Sequence, residues 1–167
     1  MLHYAKNPSY TVVADDTSRP QKQFTSDLEG KNAGDKPVIL VSIGSGVSII
    51  KVSAFDSFER VAGTMIGGGT LIGLSNLLTG QKDFDKIIEL ASRGNHQNVD
   101  MLVRDIYGQN SPFKDLQGDL LASSFAKIAN DQEEGDIKSR FRQEDILASL
   151  VCMISFNIGS LSYHMAA

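Results

Sequence analysis

The 167-residue sequence carries 16 basic and 20 acidic side chains, a formal net charge of -4, and 41% hydrophobic residues. This composition is typical of a globular chain that is long enough to bury a core. The negative charge argues against nucleic-acid binding, which normally requires a basic face. No apolar run approaches the roughly 20 residues that cross a bilayer, so we expect no membrane span. The single cysteine, Cys152, fits a reducing, cytoplasmic compartment, and its helical apolar surroundings predict a buried structural thiol.

Residues 1–36 differ in character from the rest of the chain. A weak strand is best placed at 10–13, and 14–36 reads as a polar loop, either an insertion or a disordered segment. The second segment, 37–167, opens with the β-branched run 37–43, which is typical of a strand buried on both faces. A turn at 44–46 and strands at 47–52 and 58–62 follow, which together predict a hairpin sheet.

After this sheet the apolar period changes from two to about 3.6 residues, which predicts helices. The first ends near Thr79 and Gly80, and the second ends before Gly94. A third is expected to be capped by Asn98 and to end at Gly108, and a short fourth spans 120–128. A charged connector covers 131–140, with the acidic run 131–134 expected to be solvated, and a long amphipathic helix covers about 143–164. The apolar positions expected to face inward are Leu71, Ile72, Leu74, Leu77 and Leu78 in the first helix; Phe84, Ile87, Ile88 and Ala91 in the second; Val99, Leu102, Val103 and Ile106 in the third; and Ile146, Leu147, Leu150, Val151, Ile154, Ile158 and Leu161 in the last.

The order of these elements predicts an α/β fold in which a β-hairpin sheet is followed by a helical layer. No strand follows the last helix, although a sheet strand would be expected there. We therefore expect 37–167 to be part of a larger lobe.

The run Gly44-Ser45-Gly46-Val47-Ser48 is the first candidate for binding. Ser45 and Ser48 offer hydroxyl groups, and glycine lets backbone N–H groups approach a phosphate or a polar substrate. The alternative is that the run is a hairpin turn and nothing more, since an isolated Gly-x-Gly is a weak signal.

A second glycine-rich segment covers 63–70 and contains three consecutive glycines, Gly67, Gly68 and Gly69, followed by Thr70. Glycines at a helix start lower the stability of the fold, so three in a row indicate that the backbone there approaches a ligand or another segment closely. The segment predicts an anion site at a helix N-terminus, with a close helix–sheet crossing as the alternative. It is not a Walker A loop, because no Gly-Lys-Ser/Thr follows.

Arg60 lies between the two glycine-rich segments, where it could hold a carboxylate with two hydrogen bonds or simply be a solvated surface residue. The histidines at positions 3, 96 and 164 share no ligand spacing, so no metal site is expected from the protein side chains. No Ser-His-Asp arrangement is suggested either.

With these residues identified, the chain from 37 to 167 resembles the type II, eukaryotic-type pantothenate kinases. The blocks VSIGSGVSI, ERVAGTMIGGGTLIGLSNLLTG, NVDMLVRDIYG, LQGDLLASSFAK and QEDILASLVCMISFNIGSLS carry the resemblance. They occur in the order found in that family and at about its spacing. The resemblance implies an actin-like, RNase H-like ATPase fold and ATP-dependent phosphorylation of pantothenate, the first step of coenzyme A synthesis. It implies ATP and Mg²⁺ as cofactors.

The resemblance also implies roles for particular residues. Ser45 and the segment Gly67, Gly68, Gly69, Thr70 and Leu71 would face the ATP phosphates. Ser48 and Arg60 would hold pantothenate, Arg60 at its carboxylate, and Ser45 would contact both ligands. Leu121 and Ala122 would reach the substrate pocket of a neighbouring subunit. The family forms homodimers through a long helix, for which 143–164 is the candidate, and acyl-coenzyme A is the expected feedback inhibitor.

Two parts of the family pattern have no counterpart in this sequence, namely the first phosphate loop and the catalytic glutamate. The C-terminal adenine-side strand and helix are missing as well. Glu59 is not a convincing substitute base, because it neighbours Arg60 on a strand and would point to the opposite face. We therefore expect no catalytic residue in this chain, which would supply ligand contacts without turning over alone.

Two alternatives remain open. One is a catalytically inactive dimerisation or regulatory subunit that pairs with a full-length kinase. The other keeps the superfamily and changes the substrate to an N-acetylhexosamine, which would make Arg60 incidental.

Overall fold

A computed structural model describes residues 10–15, 18–24, 37–54, 57–108, 117–133 and 135–166. The chain divides into two compact units, one of residues 1–38 and 52–58 and the other of residues 39–51 and 59–167.

In the first unit, β1 (Tyr10–Asp15) pairs antiparallel with β2 (Ser18–Phe24). The predicted strand at 10–13 is confirmed, but the predicted loop is wrong for 18–24. The segment 18–24 contains no β-branched residue, but its main-chain pairing with β1 makes it a strand. Its proline is tolerated because each strand of a two-stranded sheet has one edge without a hydrogen-bonding partner. The rest of 16–36 lies outside the described residues.

The sheet that carries the glycine turn contains β3 (Val38–Ile43), β4 (Val47–Ala54) and β5 (Ser57–Thr64) in that order. The connections between successive strands are too short for a crossover, so neighbouring strands run antiparallel. All three predicted strands are therefore confirmed.

The prediction that β3 is buried on both faces is wrong. Ile39 and Val41 pack against the core, whereas Val38 is 63% and Leu40 48% exposed. A strand that is covered by helices on one face alternates in this way, even when every residue on it is apolar.

Two helices follow the sheet at the predicted places. Helix α1 (Gly68–Thr79) ends at Gly80, whose φ of 78° is left-handed and whose N–H donates to the Asn76 carbonyl at 2.9 Å. Helix α2 (Phe84–Ala91) begins at Asp83, whose carboxylate accepts the Lys86 N–H at 2.8 Å. The predicted inward stripe is only partly correct, because Leu77, Phe84 and Ile88 are exposed.

The segment from 96 to 130 differs most from the prediction. A 3-10 helix (His96–Asn98), β6 (Met101–Leu102), α3 (Val103–Tyr107), β7 (Leu121–Ser123) and α4 (Ala126–Ala129) replace two predicted helices. Asn95 caps the 3-10 helix, whereas the predicted cap, Asn98, donates its side-chain N–H to Asp145. Ile106 is 50% exposed. Antiparallel pairing of β6 with β7 draws 121–123 out of its helical pattern.

Helix α5 (Ile137–Arg140) lies within the predicted charged connector. Nε of Arg140 donates to the Asp131 carboxylate at 2.8 Å, and the Asp131 side chain is only 12% exposed. This hydrogen bond, followed by one from the Glu133 N–H, lowers the pKa of Asp131. The expectation of a purely solvated acidic run is therefore wrong at Asp131.

Helix α6 (Gln143–Ala166) packs against α1, α2 and the 3-10 helix, as its apolar pattern predicts. Its buried residues join the sheet and both helices in one core, which also contains Val47, Ile49, Leu71, Ile87 and Leu90. By length and composition alone, α6 is the one helix of the described residues that could cross a membrane. A helix in the core of a globular protein passes the same test. Helix α6 supplies four of the nine buried residues of the core, namely Leu147, Leu150, Ile154 and Ile158.

Cys152 on α6 is half-buried, and burial raises the pKa of its thiol, with a smaller contribution from Asp100. Because the thiolate is the nucleophile, we expect iodoacetamide to label the folded chain several-fold more slowly at pH 8 than the urea-unfolded chain. Labelling rates measured across pH should show a higher midpoint for the folded protein. No other thiol contributes, since the chain has one cysteine. A folded chain that reacts as fast as the unfolded one would contradict this expectation.

Candidate functional site

An open cleft of about 630 Å³ lies along β3, β4 and β5, at the turn between β3 and β4. It is lined by Ser42, 44–48, Arg60 and 63–65, which include the predicted residues Ser45, Ser48 and Arg60 but none of 67–71. Antiparallel pairing places the first residues of β4 beside the last residues of β5. The sheet therefore brings these three predicted residues together, although Arg60 is separated from the serines along the chain.

Arg60 and Ser48 contact each other directly across the two strands. Nε of Arg60 donates to Oγ of Ser48 at 3.3 Å. Among the described residues, Arg60 has no ion pair. Its guanidinium therefore presents positive charge to the cleft, in an arrangement suited to a small carboxylate.

The glycines at the start of α1 pack directly against the turn that carries Ser45. The N–H of Gly68 donates to the Gly44 carbonyl at 2.8 Å, and the N–H of Gly69 donates to the Ser45 carbonyl at 3.0 Å. A Cβ on Gly68 would lie 2.8 Å from the Gly44 oxygen, and one on Gly67 would lie 2.9 Å from the Ser45 oxygen. Close approach of helix and turn, the alternative foreseen for this segment, is thus present in the structure.

These contacts occupy several of the donors at the start of α1. The Gly67 N–H donates to Oγ1 of Thr70 at 3.3 Å, and that hydroxyl donates to the Met65 carbonyl at 3.1 Å. Leu71 is 7% exposed and belongs to the core, so it could meet a ligand only through its backbone. Phosphate binding by 67–71 stays a prediction; Ser45 is exposed and offers its hydroxyl as a donor.

Leu121 and Ala122 lie on β7 and do not line the cleft. Leu121 is half-buried and Ala122 is exposed. The neighbouring β6–α3 junction is fixed by Asp105, which accepts the Leu102 N–H at 2.8 Å and pairs with Lys127 at 3.0 Å. Both contacts lower the pKa of Asp105, the Leu102 bond more strongly. Contact of Leu121 and Ala122 with another subunit stays a prediction.

A serine, an aspartate and a histidine do meet inside the protein, but not in a catalytic order. Asp100 is fully buried and accepts hydrogen bonds from the Ser149 hydroxyl and from the Phe125 N–H, the latter at 2.9 Å. Nδ1 of His96 lies 3.0 Å from the other carboxylate oxygen. Because aspartate stands between the other two, histidine cannot take the serine proton, and the cluster is a structural one.

Mg²⁺ prefers oxygen ligands and usually binds through one or two carboxylates. Among the described residues that line the cleft, none carries a carboxylate. Among the described residues, no group of three or more His, Cys, Asp or Glu side chains is close enough to hold a metal. The residues of this cleft therefore do not fit a magnesium site, and we assign no step to the metal here.

Ser42, Thr64 and Met65 also line the cleft, although no ligand role is predicted for any of them from the sequence. Thr64 could have been found from its place in the glycine-rich segment, since its Oγ1 accepts the Ile66 N–H at 3.1 Å and shapes the turn into α1. The buried carboxylates Asp100 and Asp145 had no comparable signal, because a single aspartate in a polar stretch is usually exposed.

Comparison with known proteins shows which protein family this sequence matches. The sequence model of the family described as Fumble matches residues 2–167. A 4'-phosphopantetheine phosphatase of Mus musculus is 52% identical over 75% of this chain. Pantothenate kinase 2 of Oryza sativa subsp. japonica is 50% identical over 76% of this chain. A pantothenate kinase of Schizosaccharomyces pombe is 44% identical over 86% of it.

This chain spans only a minor part of each of these relatives. It covers 15% of the mouse protein, 14% of the rice protein and 38% of the fission yeast protein. The matched region therefore carries the similarity, and the remainder of each relative has no counterpart in the sequence described here.

Proposed function

Because this chain belongs to the Fumble family, we propose that it is the pantothenate-binding and phosphate-facing part of an ATP-dependent pantothenate kinase. Such an enzyme catalyses the first step of coenzyme A biosynthesis. Relatives from rice and fission yeast that bear the name pantothenate kinase support this assignment. The actin-like ATPase fold is part of the same proposal, supported by the α/β arrangement of a hairpin sheet and a helical layer.

The contact between Arg60 and Ser48 is the observation that carries the proposal. Pantothenate ends in a carboxylate, and a guanidinium binds a carboxylate through two charge-assisted hydrogen bonds. Using Nε for Ser48 leaves the two Nη groups for the ligand. A sugar has no such charge, so this pair favours an acid over the N-acetylhexosamine alternative.

ATP is proposed to bring its phosphates to the turn at Ser45 and the start of α1. The helix N-terminus has a positive dipole end that favours phosphate. Gly68 and Gly69 support the turn by their hydrogen bonds to it, while the Ser45 hydroxyl remains exposed. In this arrangement Ser45 lies between the proposed ATP and pantothenate positions.

Phosphoryl transfer also needs a group that orients the attacking hydroxyl and charges that clamp the transferred phosphate. The described residues that line the cleft supply one positive side chain, Arg60, and no general base. We therefore propose that this chain contributes binding and orientation, and that it does not complete the reaction alone. The names of the relatives are those of enzymes, so they add no support to the inactive-subunit alternative.

The mouse relative is named a phosphatase, and this chain covers 15% of it and 14% of the rice kinase. At such coverage neither name decides the chemistry of the matched region, and the fission yeast kinase, of which the chain covers 38%, gives the stronger support. Phosphatase activity would be tested by the release of inorganic phosphate from 4'-phosphopantetheine, a reaction that consumes no ATP.

We also propose a homodimer with α6 in its interface, and acyl-coenzyme A as an inhibitor. Phe156 and Tyr163 on α6 are 69% and 71% exposed and lie two helical turns apart, so they are on the same side of this helix. Leu121 and Ala122 would then approach the cleft of the second subunit.

The test is pantothenate binding to the purified chain, measured by isothermal titration calorimetry. Arg60→Ala is expected to weaken binding about 10- to 100-fold, because a hydrogen bond to a charged group contributes roughly 1.5–3 kcal/mol. Arg93→Ala is the matched control, since Arg93 is an exposed arginine that pairs with Glu89 on α2. Arg60→Ala binding as tightly as wild type would contradict the proposal. Formation of phosphopantothenate from ATP by this chain would contradict the claim that it is incomplete.

A further inference from the structure

Gly63 on β5 lies directly beneath the Arg60 guanidinium. A Cβ built on Gly63 would overlap Nη2 of Arg60 and would lie 3.1 Å from its Cζ. The side chain of Arg60 therefore runs along its own strand, and its charged end occupies the space that a side chain at position 63 would need.

Backbone conformation does not explain the glycine at this position. Among the described residues, the glycines with positive φ are Gly80, Gly108 and Gly135. Gly63 is not one of them and lies within strand β5, so its φ gives no reason for a glycine. What the position requires is empty space, both for Arg60 and for the Val47 carbonyl, which would lie 2.6 Å from the added Cβ.

The same space determines where the Arg60 charge points. Nε of Arg60 reaches Ser48 on β4 while the guanidinium rests on Gly63. A methyl group at position 63 would force the end of the Arg60 side chain to shift, and we expect that shift to move its Nε away from Ser48. Both Arg60 and Gly63 line the cleft, so this displacement would move the positive charge within the ligand site.

We propose that Gly63 is a positioning residue that holds the Arg60 guanidinium across the cleft, and that it thereby sets the preference for an anionic over a neutral substrate. The claim about substrate preference rests on the proposed function. The placement of Arg60 by Gly63 does not depend on any ligand.

A double-mutant cycle tests the placement by urea denaturation of wild type, Gly63→Ala, Arg60→Ala and the double variant. If the guanidinium fills the space, Gly63→Ala should lower the urea midpoint about twice as much in wild type as in the Arg60→Ala chain, as residues in contact are coupled. If Gly63→Ala lowers the urea midpoint equally in wild type and in the Arg60→Ala chain, the placement is overturned, since the Val47 carbonyl would then account for the whole decrease. If Gly63→Ala alone does not fold, a folded double variant supports the placement and an unfolded one overturns it.

Selectivity is measured as the ratio of affinities for pantothenate and its neutral primary amide, by calorimetry on the folded variants. Wild type should prefer the acid by about tenfold or more, and both Gly63→Ala and Arg60→Ala should bring the ratio near one. A Gly63→Ala chain that loses affinity for both ligands equally would overturn the selectivity part. Equal binding of acid and amide by wild type would instead overturn the proposed role of Arg60, whereas the urea cycle would still decide the placement.

Discussion

Replacing Gly94 by alanine is expected to lower the free energy of unfolding by about 3 kcal/mol, at the upper end of overpacking effects. The added Cβ would overlap the Glu144 carbonyl and would lie 2.9 Å from the Asp145 nitrogen. These are backbone atoms at the start of α6, so they cannot rotate away as a side chain would. The Asn95 N–H also donates to the Asp145 carboxylate at 2.7 Å, which ties the same two segments together.

Thermal denaturation measures this effect, with an expected decrease in Tm of roughly 6–12 °C for a chain of this size. Gly73→Ala is the matched control, because Gly73 lies within α1 and nothing stands within 4 Å of its added Cβ. That change should stabilise the protein by about 0.5–1 kcal/mol, since alanine favours helix. A Gly94→Ala chain as stable as Gly73→Ala would show that α6 does not begin against Gly94.

The second large effect is expected at Asp100, whose replacement by alanine should cost roughly 3–5 kcal/mol of unfolding free energy. The change would leave the Phe125 N–H and the Ser149 hydroxyl without their acceptor inside the protein. Each buried polar group left unpaired costs about 1–3 kcal/mol. The Phe125 bond also holds a residue with a left-handed φ of 60°, a conformation that needs support in a residue other than glycine.

Urea denaturation of Asp100→Ala and Asp100→Asn separates the bonds at Oδ1 from the contact at Oδ2. The Phe125 N–H and the Ser149 hydroxyl both donate to Oδ1, an acceptor that asparagine keeps, so Asp100→Asn should lose much less stability than Asp100→Ala. The remaining loss would come from the contact between His96 and Oδ2. Asp119→Ala is a suitable control, because Asp119 is exposed and its loss should change stability by less than about 0.5 kcal/mol. A small, equal loss for Asp100→Ala and Asp119→Ala would contradict the buried network.

Much of the fold could be predicted from the sequence where a long pattern or a strong terminator was present. The apolar spacing of α6 and the glycine that ends α1 gave both helices close to their observed bounds. The prediction failed at 121–123, where pairing with β6 outweighs the helical pattern of an apolar stretch. It also failed for β3, because the run of apolar residues could not tell which face the helices would cover.

In the candidate site, too, features set by local sequence could be predicted, whereas features set by packing between elements could not. Ser45, Ser48 and Arg60 were chosen by residue type and position, and the sheet brings them to one cleft. The partners of the Gly68 and Gly69 N–H groups could not be predicted, because they depend on how closely α1 crosses the turn. Leu121 and Ala122 followed from family resemblance alone, and no local pattern links them to the cleft.

The two hydrogen bonds between α1 and the Gly44–Ser45 backbone have a consequence for ligand affinity. Hairpin turns are normally among the more mobile parts of a chain, and ordering such a loop on binding costs roughly 1–2 kcal/mol per residue in backbone entropy. Here the folded core anchors the turn through a helix that contains the buried Leu71. Most of that ordering cost is therefore met when the protein folds. A phosphate or carboxylate arriving at Ser45 would meet a preorganised surface, and its binding energy would go to holding the ligand.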